Sequence, residues 1–507
     1  MLLAGAREVR DVSSAVDLPL LLGCALLLVA VVAVRLASRT GLPSLLVYLA
    51  LGLVVGAAGH GVHFQDYRLT ADLGLVALAV ILAEGGLTTR WSSLRPVLAF
   101  STVLSTVGVA ISVAVVATVA HLLLGADVRL ALVLGGVVAS TDAAAVFSVL
   151  RRVPLSRRVR AVLEAESGLN DAPVVALVVL ASSSAWDTTS PLAGVALVAY
   201  ELVSGAALGL VVGLLGAALL SRVALGSAGL YPLATLGLAL GAYSGAALLH
   251  SSGFLAVYVC GVTLGRSRLP HSRAVLGFAE SLALLCEAGL FVLLGLLASP
   301  ARLPGAVPAA LLVGASATLL ARPLAVVVSA LPFRLPWREQ AFLSWAGLRG
   351  AVPIVLATVP VTQGLAGADR VLDVVFVLVV VYSLVQAPTL PYVGRRLGLV
   401  DAGQARAVDI ETAPLEQLRA DLLTVSVSVG SRLQGVYVSE LRLPAGAHVV
   451  LVQRAGSGIV PDVHTDLRTG DEVLVVTPAG AREATEARLR AVALGGRLAR
   501  WYGESGR

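Results

Sequence analysis

The stretch Glu166-Ser167-Gly168-Leu169-Asn170-Asp171 sets two carboxylates, a hydroxyl and an amide inside an apolar run that opens after Arg160 and closes near Leu180. A carboxylate at the centre of a bilayer costs roughly 2.5–3.5 kcal/mol on insertion scales. A chain keeps one there only if it is paired, faces water or does chemistry. Four-residue spacing stacks Glu166 over Asn170 and Ser167 over Asp171 on adjacent stripes of a helix. A hydroxyl and a carboxylate on one face make half a shell for a small hard cation. The plainer alternative is a polar seam that joins two helices. Asp171 is the leading candidate for chemistry. Burial favours the neutral form of a carboxyl, and nearby positive charge favours the ionised form. A carboxylate balanced between the two holds a proton or a cation, not both, so loading one expels the other.

Further polar groups break other apolar runs. Ser140-Thr141-Asp142 interrupts one, and Gly347-Leu348-Arg349-Gly350-Ala351-Val352-Pro353 interrupts another. A broken helix frees carbonyls to meet cations and amides to meet anions. Asp142 would offset the positive end of a half-helix. Arg349 reads as the one arginine deep in a span, with Arg322 nearer a cytoplasmic end. A buried arginine needs a carboxylate, and Glu166 is the first choice of partner, with Asp142 the alternative. Glu84, before Gly85-Gly86, is either an extra ligand or a surface group. Glu201, Glu280 and Glu287 are intramembrane acids left without a role.

These residues need a membrane frame to position them. The 507 residues are 57% hydrophobic and 13% charged, about half the charge of an average soluble domain. No lysine occurs, and the arginines behind the net charge of +6 lie in short loops, which points to membrane orientation rather than nucleic acid. Cys24, Cys260 and Cys286 sit in apolar stretches and read as packing residues. Apolar segments recur at roughly 17–35, 42–59, 70–89, 96–121, 130–150, 159–184, 191–221, 230–250, 253–265, 274–298, 304–330, 339–360 and 371–393, which gives thirteen spans. The first is read as a retained span, since no convincing cleavage site follows it. Seventeen arginines, Arg90, Arg151, Arg266 and Arg334 among them, fall in one set of loops, and six in the other. The positive-inside rule then puts the amino terminus outside and the carboxyl terminus in the cytoplasm.

Spans one to six and eight to thirteen form two sets of opposite sense. The two breaks fall in the fifth member of each set, the pattern of inverted repeats around a midplane site. Residues 1–398 are thus the transmembrane unit. A linker over 399–413 leads to a small soluble module at 414–494, followed by a basic tail at 495–507. In that module 422–429, 448–454 and 473–477 read as strands and 482–492 as a helix. No G-x-G-x-x-G follows a strand, so a complete dinucleotide fold is not expected. The fold class is an all-α polytopic membrane protein with broken crossing helices plus a small α+β domain.

Thr141-Asp142, the 166–171 stretch and Gly347-Leu348-Arg349-Gly350 resemble monovalent cation/proton antiporters of the NhaP type in order and spacing. Residues 408–490, with Pro461-Asp462-Val463-His464-Thr465 and Gly470-Asp471, resemble the C-terminal half of an RCK (TrkA-type) regulatory module. The pair is most similar to bacterial potassium/proton antiporters of this type, located in the cytoplasmic membrane. The resemblance implies a dimer of thirteen-span subunits in lipid with an elevator-like motion, exchanging K+, or alternatively Na+, for H+. It implies that Asp171 binds cation and proton in turn. Ser167, the Thr141 backbone and Glu84 would complete the shell, Asn170 and Asp142 would secure the crossing, and Glu166 would pair with Arg349. The Asn-Asp pair implies one-for-one, electroneutral exchange. Ala143 stands where many relatives carry proline, which bears on the shape of the break. The tail would gate transport and bind a nucleotide or cyclic dinucleotide; no other cofactor is implied. A potassium channel would need a selectivity filter such as T-V-G-Y-G, and none is present. An enzyme would need clustered histidines, a metal pattern or a nucleophile–base pair, which are also missing.

Overall fold

The computed structural model describes residues 44–56, 66–142, 155–223, 225–267, 269–399, 409–415, 420–428, 430–454 and 456–499, together with Cys24, Leu28 and Val29. The first expected span falls outside these apart from those three residues, as do Ala143 and the rest of the fifth span to residue 150. The chain divides into two compact units, Met1–Leu399 and Val400–Arg507.

The first unit is helical. Its longer described helices are α1 (Ser44–Val55), α2 (Tyr67–Thr88), α3 (Leu98–Leu124), α4 (Val128–Ala139), α5 (Arg157–Ser182), α6 (Pro191–Arg222), α7 (Leu230–Leu248), α8 (Gly253–Arg266), α9 (Ser272–Leu297), α10 (Leu303–Phe333), α11 (Trp337–Trp345), α12 (Ala351–Thr362) and α13 (Ala368–Arg396). Among the described residues six helices, α2, α3, α6, α9, α10 and α13, are long and apolar enough to cross a membrane. The polar cluster itself dilutes the apolar character of α5. Local chemistry sets the ends. Asp66 caps α2 by accepting from the Leu69 amide at 2.9 Å, Ser156 caps α5, and Ser190 followed by Pro191 opens α6. Such caps satisfy amides that a helix start leaves without partners.

Two bundles result. Helices α1, α2 and α6–α9 pack together, and α3–α5 pack with α10–α13. Glycines let the first bundle close at backbone distance. A Cβ on Gly209 of α6 would lie 2.3 Å from the Ala256 carbonyl oxygen of α8, and one on Gly261 of α8 would lie 2.8 Å from that of Ala83 in α2. Small residues at such crossings are the usual packing device in lipid. The outer face of α6 shows Leu192, Val195 and Val203, as suits a lipid contact. Three helices of the second bundle carry one-turn π-bulges, at Leu104–Gly108, Ala317–Ala321 and Tyr382–Gln386.

The second unit is a five-stranded antiparallel sheet of β1 (Asp409–Leu415), β2 (Ala420–Ser426), β3 (His448–Arg454), β4 (Ser457–Ile459) and β5 (Glu472–Pro478), in the order β1-β2-β5-β3-β4. Burial alternates along β2 and β5. Helix α14 (Arg482–Gly495) covers the apolar face, burying Leu489 and Val492 with Leu423, Val425, Val473 and Val475. One sequence reading is corrected: residues 409–413, taken as linker, belong to β1, which pairs with β2 from Asp409↔Ser426 to Leu415↔Ala420. The polar composition of that stretch hid a strand.

An ion pair closes the β3–β5 end of this unit. Arg454 donates to Asp471 through Nε at 2.9 Å and Nη2 at 2.7 Å, and the Arg468 amide donates to the same carboxylate at 2.8 Å. Burial alone would raise the Asp471 carboxyl. The hydrogen bonds and charge of Arg454, with Arg468, outweigh burial and hold it below the ordinary carboxylate range. A depressed carboxyl contributes stability above its unfolded value, about 3.9, and loses it as pH falls through the folded value. Asp471→Asn will therefore destabilise this unit by about 1–3 kcal/mol at neutral pH. The gap from the unsubstituted chain will shrink below about pH 4. Pulse proteolysis of the full-length chain across pH reads both effects.

Candidate functional site

Two chain breaks meet inside the second bundle. Helix α4 stops at Ala139, and Ser140 turns extended. Helix α11 stops at Trp345, and α12 starts at Ala351. The second break thus spans 346–350, and Ala351–Pro353, read from sequence as part of it, already belong to α12. The Asp142 amide donates to the Leu348 carbonyl at 3.0 Å, which ties one break to the other. Gly350, the residue that caps α12, has no room for a side chain: a Cβ there would lie 1.6 Å from Asp142 Oδ2. The Asp142 carboxylate therefore rests against the positive end of α12.

Two arginines answer the negative ends. Arg349 Nε donates to the Val138 carbonyl, near the end of α4, at 2.6 Å, and its Nη1 donates to the Gly347 carbonyl. Its guanidinium also sits 5.5 Å from the Tyr382 ring centre. Arg322 Nε donates to the Leu343 carbonyl, near the end of α11, at 3.1 Å. Each half-helix thus ends on a guanidinium that binds a carbonyl the helix leaves free.

Here the structure corrects the sequence reading. Glu166 pairs with Arg322, not with Arg349. Both carboxylate oxygens are engaged, Oε2 with Nη2 at 2.7 Å and Oε1 with Nη1, and both side chains are buried. Arg322 looked peripheral because α10 runs 31 residues, longer than a bilayer needs. Sequence alone does not say which part of so long a helix lies at the midplane. The Glu166 carbonyl also accepts from Ser105, within the π-bulge of α3, at 3.3 Å.

Helix α5 brings the remaining groups to the first break. Ser167 Oγ donates to the Thr141 carbonyl at 3.0 Å, and Asn170 Nδ2 donates to Thr141 Oγ1 at 2.6 Å. Asp171, the next residue, is 4% exposed. Its Oδ1 and the Asn170 Oδ1 are buried with no hydrogen-bond partner among the described residues. Asp142 is its carboxylate neighbour. Pro173 lies inside α5 and has no N–H to give to the carbonyl four residues back, at Leu169. Oxygen atoms thus gather where a carboxylate is left unsatisfied, and such a buried group demands a partner. A hard cation or a proton supplies one.

Glu84 is on α2. It lines a cavity between α2, α7 and α9 with Thr235, Ala239 and Phe278, and its acidic neighbours are Glu280 and Glu164. No hydrogen bond or ion pair joins it to Asp171 among the described residues. Sequence reading gave Arg322 no partner and missed Ser105 and Tyr258, whose ring packs on Gly168. A polar or aromatic residue within a long apolar run was the available signal in each case.

The family model described as sodium/hydrogen exchanger, transmembrane, matches residues 25–396, and that of the TrkA-C domain matches residues 422–490. The chain is 33% identical over 476 residues to the K(+)/H(+) antiporter NhaP of Alkalimonas amylolytica, covering 91% of this chain and 81% of that one. It is 33% identical over 479 residues to K(+)/H(+) antiporter NhaP2 of Shewanella sp. (strain ANA-3), covering 92% and 82%. The solved structure of the sodium proton antiporter MjNhaP1 from Methanocaldococcus jannaschii superposes with a TM-score of 0.64 at 23% identity, covering 74% of this chain and 97% of that one. That likeness concerns the fold.

Proposed function

Because the chain belongs to the transmembrane sodium/hydrogen exchanger family, we propose that it is a secondary antiporter exchanging K+, with Na+ as the alternative ion, for H+ at Asp171. The observation that carries this reading is the buried, partly unpartnered Asp171 carboxylate beside two crossing chain breaks. A cation and a proton compete for that carboxylate. Ser167 and Thr141 stand ready as further oxygens, while Asn170, Asp142, Glu166 and Arg349 hold the break in shape. Glu84, on its separate cavity, serves the approach to the site. One acid and one cation per cycle make the exchange electroneutral. Potassium is favoured over sodium by the relatives that match over most of the chain, which are named K(+)/H(+) antiporters.

The same reading includes thirteen spans in two inverted sets. The chain breaks support it, since they fall in the fifth member of each set. The π-bulges at Leu104–Gly108 and Ala317–Ala321 support it as well, since they fall in the fourth. The arginine distribution supports an external amino terminus and a cytoplasmic carboxyl terminus in a bacterial cytoplasmic membrane. Movement of one bundle against the other gives alternating access, and a homodimer in lipid supplies the fixed frame. The domain limits are 1–398 for the exchanger and 414–494 for the gating module, with β1 extending the module back to residue 409. A nucleotide or cyclic dinucleotide acts on that module as a regulator; none of the exchange steps depends on it, and no nucleic acid takes part.

Proton flux in proteoliposomes, driven in turn by K+, Na+ and Li+ gradients, tests the proposal. The fastest flux is expected with K+, insensitive to a clamped membrane potential. Cation movement without coupled protons would instead indicate a channel.

A further inference from the structure

Glu164, Gly168 and Asp171 lie at helical spacing on one stripe of α5, about 6 Å and 4.5 Å apart along the axis. Exposure falls along the stripe. Glu164 is partly exposed and Asp171 is 4% exposed. Between them sits Gly168, and the ring of Tyr258 fills the space that a side chain would take. A Cβ on Gly168 would lie 2.3 Å from Tyr258 Cε2 and 2.4 Å from its Cζ. Tyr258 belongs to α8, in the other bundle. Its mounting is rigid, because Gly86 and Gly261 bring the backbones of α2 and α8 into direct contact. Tyr258 is 3% exposed, and its hydroxyl has no hydrogen-bond partner among the described residues. The Thr89 side chain is the nearest polar group to that hydroxyl but lies outside normal hydrogen-bond geometry, and Glu164 is its charged neighbour. A buried phenol normally finds a partner, so an unsatisfied one between a half-open carboxylate and a closed one asks for an explanation.

We propose that Tyr258 is the last ligand on the cation's way to Asp171. Its hydroxyl oxygen replaces one water of the ion's shell, and its ring in the Gly168 notch closes the passage behind the ion. The approach starts at Glu164, with the carboxyl groups of Glu84 and Glu280 nearby. The inference rests on the antiporter reading and adds to it a residue on the opposite bundle. No covalent step is involved; water leaves and an oxygen takes its place, as in other dehydrating ion sites. Because the contact joins two bundles that move against each other, it must break once per cycle.

The test uses the full-length chain in proteoliposomes with K+ as the probe. Tyr258→Phe keeps the ring and removes the oxygen. Its apparent KM for K+ is expected to rise three- to tenfold, with the maximal rate within twofold of the unsubstituted chain. A purely structural role would leave KM unchanged. Gly168→Ala should lower the maximal rate at least tenfold in folded protein, since alanine itself favours a helix. Adding Tyr258→Ala to Gly168→Ala should recover at least threefold of that loss. An unchanged KM in Tyr258→Phe overturns the proposal, as does a normal maximal rate in Gly168→Ala. Absence of flux in the unsubstituted chain would count against the antiporter reading instead.

Discussion

Replacing Asp171 by Asn will abolish cation-driven proton flux and leave the fold intact. The two side chains are nearly isosteric, and the site already holds a neutral amide one residue away at Asn170, bonded to Thr141. What disappears is the charge and the exchangeable proton. A monovalent cation about 2.7 Å from a carboxylate oxygen gains about 6 kcal/mol at an effective dielectric near 20. Even half of that is worth roughly two orders of magnitude in affinity. Flux should therefore fall below about 1% of the unsubstituted rate at all cation concentrations that the assay can reach. Removing a buried, partly unpartnered carboxylate should hold or raise the melting midpoint in detergent. Loss of flux together with loss of folded protein would mean that Asp171 is a structural strut.

The second large effect concerns stability. Arg322→Met will leave Glu166 as a buried charge without its partner, at a cost of about 3–5 kcal/mol. Arg322→Met combined with Glu166→Leu will recover most of it, because an apolar pair of similar volume avoids the desolvation of both ions. Arg322→Lys will fall between, since an ammonium has no planar fork for both carboxylate oxygens. Arg349→Met removes bonds to the Val138 and Gly347 carbonyls but breaks no ion pair among the described residues, and should cost less, about 1.5–3 kcal/mol. Melting midpoints of the four variants in one detergent give the ranking. A smaller loss for Arg322→Met than for Arg349→Met would return Glu166 to Arg349.

That ranking inverts what the sequence suggests, and the reason is physical. Hydropathy locates apolar runs but does not say what one residue inside a long helix packs against, so the Arg322–Glu166 pair was hidden while Arg349, within a broken run, was conspicuous. The breaks themselves were legible. Glycine, proline and charge inside apolar sequence mark unwound chain, and Ser140–Asp142 and Gly347–Gly350 lie there in the structure. The stacking of Ser167 and Asp171 followed from helix period alone. The cavity that Glu84 lines did not, because it depends on how α2, α7 and α9 pack. Strand β1 was illegible for a related reason: its polar composition is that of a linker, and only its pairing with β2 gives it a form. Tyr258 does not stand out in the sequence, and only its packing on Gly168 across the bundle boundary singles it out.

Whether a single buried acid exchanges its proton for the incoming ion can be counted directly. Purified full-length chain in weakly buffered detergent solution near neutral pH is titrated with K+, and protons released are compared with cations bound. About one proton per cation is predicted for the unsubstituted chain, and none for Asp171→Asn. Cation binding with no release, or release that persists once Asp171 is gone, would contradict the account.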